Sequence, residues 1–531
     1  MKHGMYIFDR TDKRSGVIYV YSCSSFWNKE KKRSENKQIL LGIRDPETGE
    51  ILPTRSGRKR SKPVSESAVP EYRQLYCGAT HLLDEIGRIT GVEKDLRQCF
   101  PESYKEILSL AYYMIMESES VVSRFHRWSR NHRHPCGHDL SSQRISELFA
   151  AITHDEVIRF CRMQAKRRED KEYWAVDTTS VSSYSNELHQ VRRGHNKDGD
   201  SMDQLNLAIL YGQQSRLPFY YRRLAGNIPD SKVLKELTEA LQSFECPRAK
   251  LILDRGFYSE ANINSLFEHR IRFLVGLPKH LVLVKSFIEE VLPVRDAFDQ
   301  YDPCHEVFSF VKRIKWQWKR KRPYKGDTLR EERRAYLFLY YNVQTEADER
   351  LQYSRHLRQL QKELIDGPQD ASHTDDYAKY FTVRETPKRG RRVTANQEAM
   401  DALRRTYGFF ALLSNDIRDP SEALTIYRLR NVVESAFWDL KQRLDMNRTR
   451  VSSDASMDGK LFVQFIALIY LSFLKQKMTE TELFSHYTMN GLLDELDDIV
   501  VYLTPGKQPV YGAVLKAQAD LYKKLGVDGI K

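Results

Sequence analysis

The sequence is poor in cysteine, and the cysteines that it has show no pairing pattern. Seven cysteines are spread over 531 residues, and no two of them have the C-x-x-C spacing of a zinc or redox motif. An odd, scattered set of this kind excludes a small disulfide scaffold and predicts reduced thiols in a cytosolic compartment. We therefore expect a cytoplasmic protein with a conventional hydrophobic core.

Long apolar runs are also missing. The longest, Phe462–Leu474, is interrupted by Gln464 and bounded by Lys460 and Lys475. A membrane-spanning helix needs about 20 apolar residues, so this run predicts a buried core helix. The first residues contain no apolar segment, which predicts that no secretory signal is present.

Acidic residues are outnumbered by basic ones: 72 Asp and Glu stand against 85 Lys and Arg, a net charge of +13. Much of the excess lies in two places. Residues 1–62 hold 15 basic and 7 acidic residues, and Val311–Lys325 holds eight basic residues and no acidic one. Clustered positive charge is typical of proteins that bind nucleic acid, although a solvated basic surface would have the same composition.

The hydrophobic pattern changes along the chain. Strand-like segments predict a small β-rich unit at the beginning, and helical spacing dominates from about residue 66, with helices over Tyr104–Met116 and Ile145–Lys166. Strands and helices then alternate from Glu172, which predicts a mixed α/β sheet with an antiparallel start. A histidine-rich stretch, 126–138, follows no standard zinc spacing, and a basic loop near DNA is preferred to a metal site.

Two predicted strands each carry one aspartate in an apolar run: Asp177 in WAVDTT and Asp254 in LILDRGFY. A carboxylate in such a place is costly unless it is paired or binds a cation, and facing carboxylates can hold Mg²⁺. The alternative for either residue alone is a cap or turn at the end of a strand.

A predicted helix, IYRLRNVVESAFWDLKQRL, carries four functional side chains on one stripe. Tyr427, Arg430, Glu434 and Lys441 fall within an arc of about 60° at ~100° per residue, beside an apolar stripe. An exposed helix with ion pairs would also show Arg and Glu four residues apart. Together with the two aspartates, however, Glu434 would complete the carboxylate set of a two-metal phosphoryl-transfer site.

With these motifs the chain resembles the DDE transposases of bacterial insertion sequences, in the group with the signature Y-x2-R-x3-E-x6-K. The signature is present as Tyr427, Arg430, Glu434 and Lys441, and the second acid lies in D-R-G-F-Y, which is similar to the family's D-x-G-[FY] pattern. The resemblance extends from about residue 145 to residue 475 and includes the turn GNIPDSK, 226–232.

The resemblance implies an α/β fold: an RNase H-like mixed-sheet catalytic domain interrupted by a mostly β insertion, after β-rich and helical DNA-binding regions. We expect six segments on this basis. They are a basic β-rich unit (1–65), a helical DNA-binding region (66–170), the first catalytic part (171–278), the insertion (279–408), the second catalytic part (409–480) and a helical tail (481–531).

The resemblance also implies the roles of the site residues. Asp177, Asp254 and Glu434 would be catalytic and would bind two Mg²⁺ (or Mn²⁺) ions, in cut-and-paste transposition by hydrolysis and strand transfer at terminal inverted repeats. Tyr427, Arg430 and Lys441 would contact DNA. The expected partners are double-stranded DNA (transposon ends and target) and a second copy of the chain, without a membrane.

The basic strand-like run KWQWKRKR adds further candidates for DNA contact. Trp316 and Trp318 would share one face of a strand and could stack on an unstacked base, with Lys319 and Arg320 beside them. The alternative is that both tryptophans are core residues of the insertion.

Two other functions stay open from the sequence. One is a transposon-derived, sequence-specific DNA-binding protein that no longer cleaves. The other is a metal-dependent nuclease of a different kind, against which the long insertion and the basic N-terminal unit argue.

Overall fold

The structure is a computed structural model of the whole chain. It describes most of the residues, in fifteen segments. These are 5–12, 16–28, 33–46, 48–52, 72–117, 121–168, 172–182, 190–193, 202–246, 248–321, 328–367, 369–386, 390–431, 438–444 and 453–530. The chain divides into two compact units, one of residues 1–72 with 504–507 and one of residues 73–503 with 508–531.

The first unit contains a four-stranded antiparallel sheet in the order β1-β2-β3-β4. Its strands are β1 (Met5–Thr11), β2 (Ile18–Asn28), β3 (Arg33–Arg44) and β4 (Ile51–Leu52). The β-rich prediction for the beginning of the chain is confirmed for these residues. The basic linker predicted over Thr54–Pro63 lies outside the described residues.

The second unit begins with one short strand and six helices. They are β5 (Arg73–Tyr76), α1 (Gly78–Thr90), α2 (Val92–Cys99), α3 (Tyr104–Met116), α4 (Phe125–Asn131), α5 (Ser142–Ala151) and α6 (His154–Lys166). The single helix predicted over Ile145–Lys166 is wrong. Thr153 is extended and forms a capping box with Glu156, so that α6 starts anew.

The centre of this unit is a mixed sheet with helices in its connections. Its first elements are β6 (Trp174–Ser182), β7 (Gln204–Gly212), β8 (Pro218–Ala225), α7 (Asp230–Ser243), β9 (Lys250–Leu253), α8 (Glu260–Glu268) and β10 (Arg272–Leu277). Strands β6, β7 and β8 pair antiparallel, whereas β9 lies parallel to both β6 and β10. The predicted α/β sheet with an antiparallel start is therefore confirmed.

The segment predicted as a mostly β insertion, residues 279–408, contains both helices and strands. Its elements are α9 (Val282–Val291), β11 (Tyr301–Asp302), β12 (Val307–Lys321), β13 (Thr328–Tyr341), α10 (Val343–Asp366), α11 (Thr374–Tyr380), β14 (Phe381–Thr386), β15 (Gly390–Ala395) and α12 (Gln397–Arg404). Strand β16 (Phe409–Ser414) follows.

Three of these strands continue the central sheet, whose order is β11-β12-β13-β16-β10-β9-β6-β7-β8. Strand β13 pairs antiparallel with β16, which pairs antiparallel with β10. The segment predicted as an insertion thus contributes three strands to the central sheet. The apolar residues 335–341 of β13 are buried because β13 is an inner strand of that sheet.

The remaining elements cover this sheet and the helical region. Helix α13 (Pro420–Arg428) follows β16, and a one-turn 3₁₀ helix, Leu429–Asn431, follows α13. Described structure resumes before a short π-helix, Asp439–Arg443, and continues with α14 (Asp454–Glu480). Helix α14 is long and apolar enough to cross a membrane, but 94% of its most apolar window is buried inside the protein, as the prediction of a core helix requires.

The last segment packs on the helical region and does not form a separate tail. It contains α15 (Met489–Asp497), β17 (Val500–Leu503), β18 (Val510–Tyr511) and α16 (Lys516–Leu525). Strand β17 pairs antiparallel with β5, and the hydroxyl of Tyr522 donates a 2.9 Å hydrogen bond to the carbonyl oxygen of Gly78.

Candidate active site

Two of the predicted carboxylates lie at the same edge of the central sheet. In the parallel pair β6 and β9, Val176 is opposite Leu253. Asp177 and Asp254 are the next residues of the two segments. Strand β9 ends at Leu253, whereas β6 continues to Ser182. Because paired parallel strands run in the same direction, the residues that follow an opposed pair also lie next to each other, so the register places the two aspartates side by side.

Helix α13 brings two further predicted residues to Asp254. The helix is capped by Asp419, whose side chain accepts from the backbone N–H of Glu422 at 2.7 Å, and it buries Ala423 and Leu424 against the sheet. The hydroxyl of Tyr427 then donates to Asp254 Oδ1 at 3.1 Å.

Arg430 reaches the same oxygen from the next turn. Its Nη1 lies 3.1 Å from Asp254 Oδ1, and its guanidinium carbon lies 5.2 Å from the centre of the Tyr427 ring. The structure therefore brings Tyr427, Arg430 and Asp254 into one hydrogen-bonded group, with Asp177 on the neighbouring strand.

The charges in this group support one another. Burial raises the pKa of Asp254, but the charge of Arg430, the backbone N–H of Arg255 and the Tyr427 hydroxyl outweigh it, and the net pKa is lowered. Burial lowers the pKa of Arg430, but Tyr427, Asp254 and Asp177 raise it overall. The site therefore favours the ionised form of Asp254 beside the charged Arg430.

A glycine that the sequence analysis missed makes room for Tyr427. A Cβ atom on Gly276, in β10, would lie 2.7 Å from Tyr427 Oη and 3.0 Å from the backbone nitrogen of Arg255. Side chains do not tolerate such a distance, so this strand position needs glycine for the tyrosine to reach Asp254. An isolated glycine in the apolar run RFLVGL was the available signal, because glycine inside a strand often marks close approach.

Of the other two residues of the predicted stripe, the structure describes one, Lys441. Glu434 lies outside the described residues. Lys441 lies in the π-helix and is buried. The uniform α-helix on which the 60° arc rested is interrupted, because α13 ends at Arg428 and a 3₁₀ turn follows.

A second residue that sequence reasoning missed, Asp439, fixes the π-helix that carries Lys441. Its side chain is only 2% exposed, and its Oδ2 accepts from Lys475 Nζ of α14 at 2.9 Å. The side chain of Gln464, also in α14, donates to the carbonyl oxygen of Leu444 at 2.7 Å. A short polar residue two positions before a signature lysine gave no distinct signal in the sequence.

The two tryptophans of β12 have the contacts of core residues. They project on the same face, as predicted, but are only 8% and 5% exposed. Trp316 Nε1 donates to Asn264 Oδ1 and Trp318 Nε1 to the Asn264 carbonyl oxygen, both at 2.9 Å. The alternative of an ordinary core role fits these contacts. Lys319 and Arg320 follow in the same strand, and their contact with DNA stays a prediction.

Two histidines of the stretch 126–138 pack against neighbouring side chains. His132 stacks on Trp128 with 4.7 Å between ring centres and lies 2.8 Å from Asp497. His134 is buried, with its Nδ1 3.1 Å from Ser109 Oγ. Within the described segments, no group of three or more His, Cys, Asp or Glu side chains has the arrangement of a metal site.

Comparison with known proteins places the central part of the chain. A family model, described as the transposase DDE domain, matches residues 169–470, which is more than half of the 531 residues. The chain therefore belongs to the DDE-domain transposase family. The matched range includes the strands of Asp177 and Asp254, helix α13 and the first part of α14.

Other comparisons add little. No curated protein matches the chain. Among solved structures, the chain is similar to a piggyBac transposase in a synaptic complex with hairpin DNA, at 12% identity over 74% of this chain and 67% of that chain, with a TM-score of 0.32. A TM-score this low does not indicate a common arrangement of the elements.

Proposed function

We propose that this transposase cuts and joins DNA at the terminal inverted repeats of its own insertion sequence, in a cut-and-paste reaction with an RNase H-like catalytic fold. The observation that carries the proposal is the adjacency of Asp177 and Asp254 on parallel strands, with Arg430 and Tyr427 on Asp254. The order β8-β7-β6-β9-β10, three antiparallel strands followed by two parallel ones, supports the RNase H-like part.

Members of this family generally use divalent metal ions, and the residues present fit such ions. Asp177 and Asp254 offer carboxylate oxygens, which Mg²⁺ and Mn²⁺ prefer. With Glu434, they would hold two ions. Bound there, the ions would activate a water or a 3′-hydroxyl and stabilise the leaving oxygen.

Two cations of the chain and a tyrosine hydroxyl would hold the DNA beside these acids. Arg430 and Tyr427 lie against Asp254, and Lys441 lies on the anchored π-helix, so all three would contact phosphates near the cut. Without such cations, clustered carboxylates would repel the DNA backbone. Because two transposon ends have to be joined, we expect a homodimer on DNA.

The test is an end-cleavage assay on DNA that carries the element's inverted repeats, with Mg²⁺ or Mn²⁺. Asp254→Asn keeps the shape of the side chain and should abolish nicking and strand transfer while leaving DNA binding in EDTA intact. Glu495→Gln, on α15, serves as the matched control and should cleave normally. Equal cleavage by wild type and Asp254→Asn would overturn the assignment. Specific binding by a wild type that never cleaves would favour the non-cleaving DNA-binding protein.

A further inference from the structure

The turn between β11 and β12 holds one histidine, His305, in a fixed position. The backbone N–H of Cys304 donates to Asp302 Oδ1 at 2.9 Å. The side chain of Asn342 donates to the carbonyl oxygen of Glu306 at 3.2 Å. Glu306 has a φ of 54°, in the left-handed region that residues with a side chain seldom adopt. Such conformations persist where the surrounding contacts maintain them, and they are frequent at functional sites.

The imidazole of His305 contacts three residues of helix α13. Its Nε2 lies 2.9 Å from Thr425 Oγ1 and 3.2 Å from the carbonyl oxygen of Ser421. Arg428 places Nη1 3.2 Å from the imidazole Nδ1 and Nη2 3.3 Å from the His305 carbonyl oxygen. Positions four and three residues apart form one stripe of a helix. The turn therefore holds α13 along this stripe as far as Arg428, its last residue.

The donors and acceptors assign one protonation state to the ring. An arginine only donates, so Nδ1 accepts from Arg428 and carries no proton. The hydroxyl of Thr425 donates to the carbonyl oxygen of Ser421 at 2.9 Å, which leaves its oxygen to accept from the Nε2–H of His305. A protonated imidazole would direct a second N–H at the guanidinium. The contact with Arg428 thus requires the neutral ring.

The charged groups next to the ring do not compensate a proton on it. Arg428 contacts the imidazole from α13, and Asp302 and Glu306 belong to the turn itself. Within the described segments, neither acid lies within ion-pair distance of His305. On the side of β13, the residue that meets the turn is the neutral Asn342. Protonation would therefore place a positive charge beside Arg428 and weaken this contact.

The end of α13 that His305 holds is also the part that reaches the candidate active site. Tyr427 directly precedes Arg428, and Arg430 follows two residues later. Both lie 3.1 Å from the same oxygen of Asp254. Hydrogen bonds of this length are lost when a donor moves away by about 1 Å. The position of the helix end therefore decides whether the two contacts with Asp254 form.

We propose that His305 is a positioning residue, which in its neutral form holds Arg428 and thereby keeps Tyr427 and Arg430 at Asp254. Protonation of the ring releases the end of α13, so that the site loses its alignment in mild acid. His305 acts through the helix and touches none of the proposed metal ligands. The proposal rests on the proposed function for the reaction that is affected, whereas the contact itself can be tested without DNA.

Hydrogen exchange, followed by mass spectrometry, tests the contact in the full-length protein without DNA or metal. His305→Ala should increase the exchange of the α13 amides about fivefold or more, because the helix opens locally once the contacts are lost, and should leave that of α3 unchanged. If this variant is unfolded by its melting curve, Arg428→Gln removes the same contact from the helix side. His486→Ala, at an exposed position, is the control. Wild-type exchange of α13 in the folded contact variant would overturn the proposal.

The pH profile of end nicking tests the positioning role, because loss of a merely stabilising contact would not change it. At about pH 8 and saturating DNA, His305→Ala should nick about tenfold more slowly than wild type, since misplaced groups lose rate steeply. In His305→Asn, the side-chain oxygen can accept from Arg428, and the rate should recover to within about threefold. A rate for His305→Ala equal to that of wild type would overturn the proposal.

The same two proteins separate the neutral from the protonated ring. Between about pH 8 and pH 6, the nicking rate should fall more steeply in wild type than in His305→Asn, which has no group that takes up a proton in this range. Equal slopes would overturn the requirement for the neutral form. A wild type that nicks at no pH would instead refute the proposed function, and the exchange experiment alone would then decide whether His305 holds α13.

Discussion

Arg430 Nη1 and Tyr427 Oη both lie 3.1 Å from the same oxygen of Asp254, Oδ1. One carboxylate oxygen is thus shared by two residues whose proposed role is to hold DNA. The proposed role of Asp254 itself is to bind a metal ion. DNA contact and metal binding at this site therefore depend on the same carboxylate oxygen. A substitution of Arg430 should alter both.

Replacing Arg430 should make the protein depend more on a divalent ion for stability. Arg430→Gln removes the positive charge beside Asp254, so the ion-free protein should lose about 1 kcal/mol, a value kept small because the carboxylate is partly exposed. Added Mn²⁺ should then raise the melting temperature more than it does in wild type.

The measurement is the melting temperature as a function of Mn²⁺ concentration. Arg255→Gln is the matched control, because it removes a nearby arginine whose side chain forms no ion pair with Asp254 among the described residues. An equal Mn²⁺ response in Arg430→Gln and wild type would contradict the direct role of Arg430.

Adding one methyl group at Gly276 should disturb the site through Tyr427. The new Cβ would lie 2.7 Å from the hydroxyl oxygen, and overpacking of this kind costs about 1–3 kcal/mol. In a Tyr427→Phe background the hydroxyl is absent, so the same Gly276→Ala change should cost less. A double-mutant cycle of unfolding free energies measures the difference. Costs that simply add would show that the two residues do not touch.

The buried His134 should make stability fall in mild acid. Burial lowers the pKa of His134 to about 4, whereas an unfolded histidine titrates near 6.5. Its contribution is therefore complete above about pH 6.5 and is lost as the pH falls towards 4, because the unfolded chain takes up the proton first. The loss amounts to at most about 3 kcal/mol.

In His134→Gln, the free energy of unfolding should fall less between pH 6.5 and pH 4 than it does in wild type. The measurement is a denaturant titration at several pH values. His126→Gln, at an exposed position of the same stretch, should leave the slope as in wild type. Identical slopes for wild type and His134→Gln would show that His134 is accessible to protons in the folded state.

Replacing Trp318 should distinguish a core role from base stacking. The indole is buried and bonded to Asn264, and Arg333 lies 4.8 Å from its ring centre. Trp318→Ala should therefore destabilise the fold by about 3–5 kcal/mol. A loss of DNA affinity in a variant of unchanged melting temperature would instead support the stacking role.

Local pattern was sufficient for much of the fold. The predicted bounds of Tyr104–Met116 are those of α3, because the apolar residues recur there with helical spacing. Asp177 and Asp254 could be selected because a charge in an apolar strand is conspicuous.

What the sequence did not reveal depends on contacts between distant residues. The pairing of β13 with β16 joins residues about seventy positions apart, and no periodicity within either strand indicates its neighbour. The space around Gly276 is set by Tyr427, 151 positions later. The burial of the β12 tryptophans depends on Asn264, from an earlier helix. In each case the partner decides the role of the residue.

The pairing of β17 with β5 has a consequence for how the protein is made. Strand β5 emerges from the ribosome more than 400 residues before β17, so its edge stays open during most of synthesis. A chain stopped after α14 would contain every residue of the DDE signature, yet it would lack the strand beside β5 and the Tyr522 contact with Gly78. The edge of β5 is therefore covered only after β17 has been translated. Prematurely ended chains, in which this edge stays exposed, should be degraded by proteases before they can act on DNA.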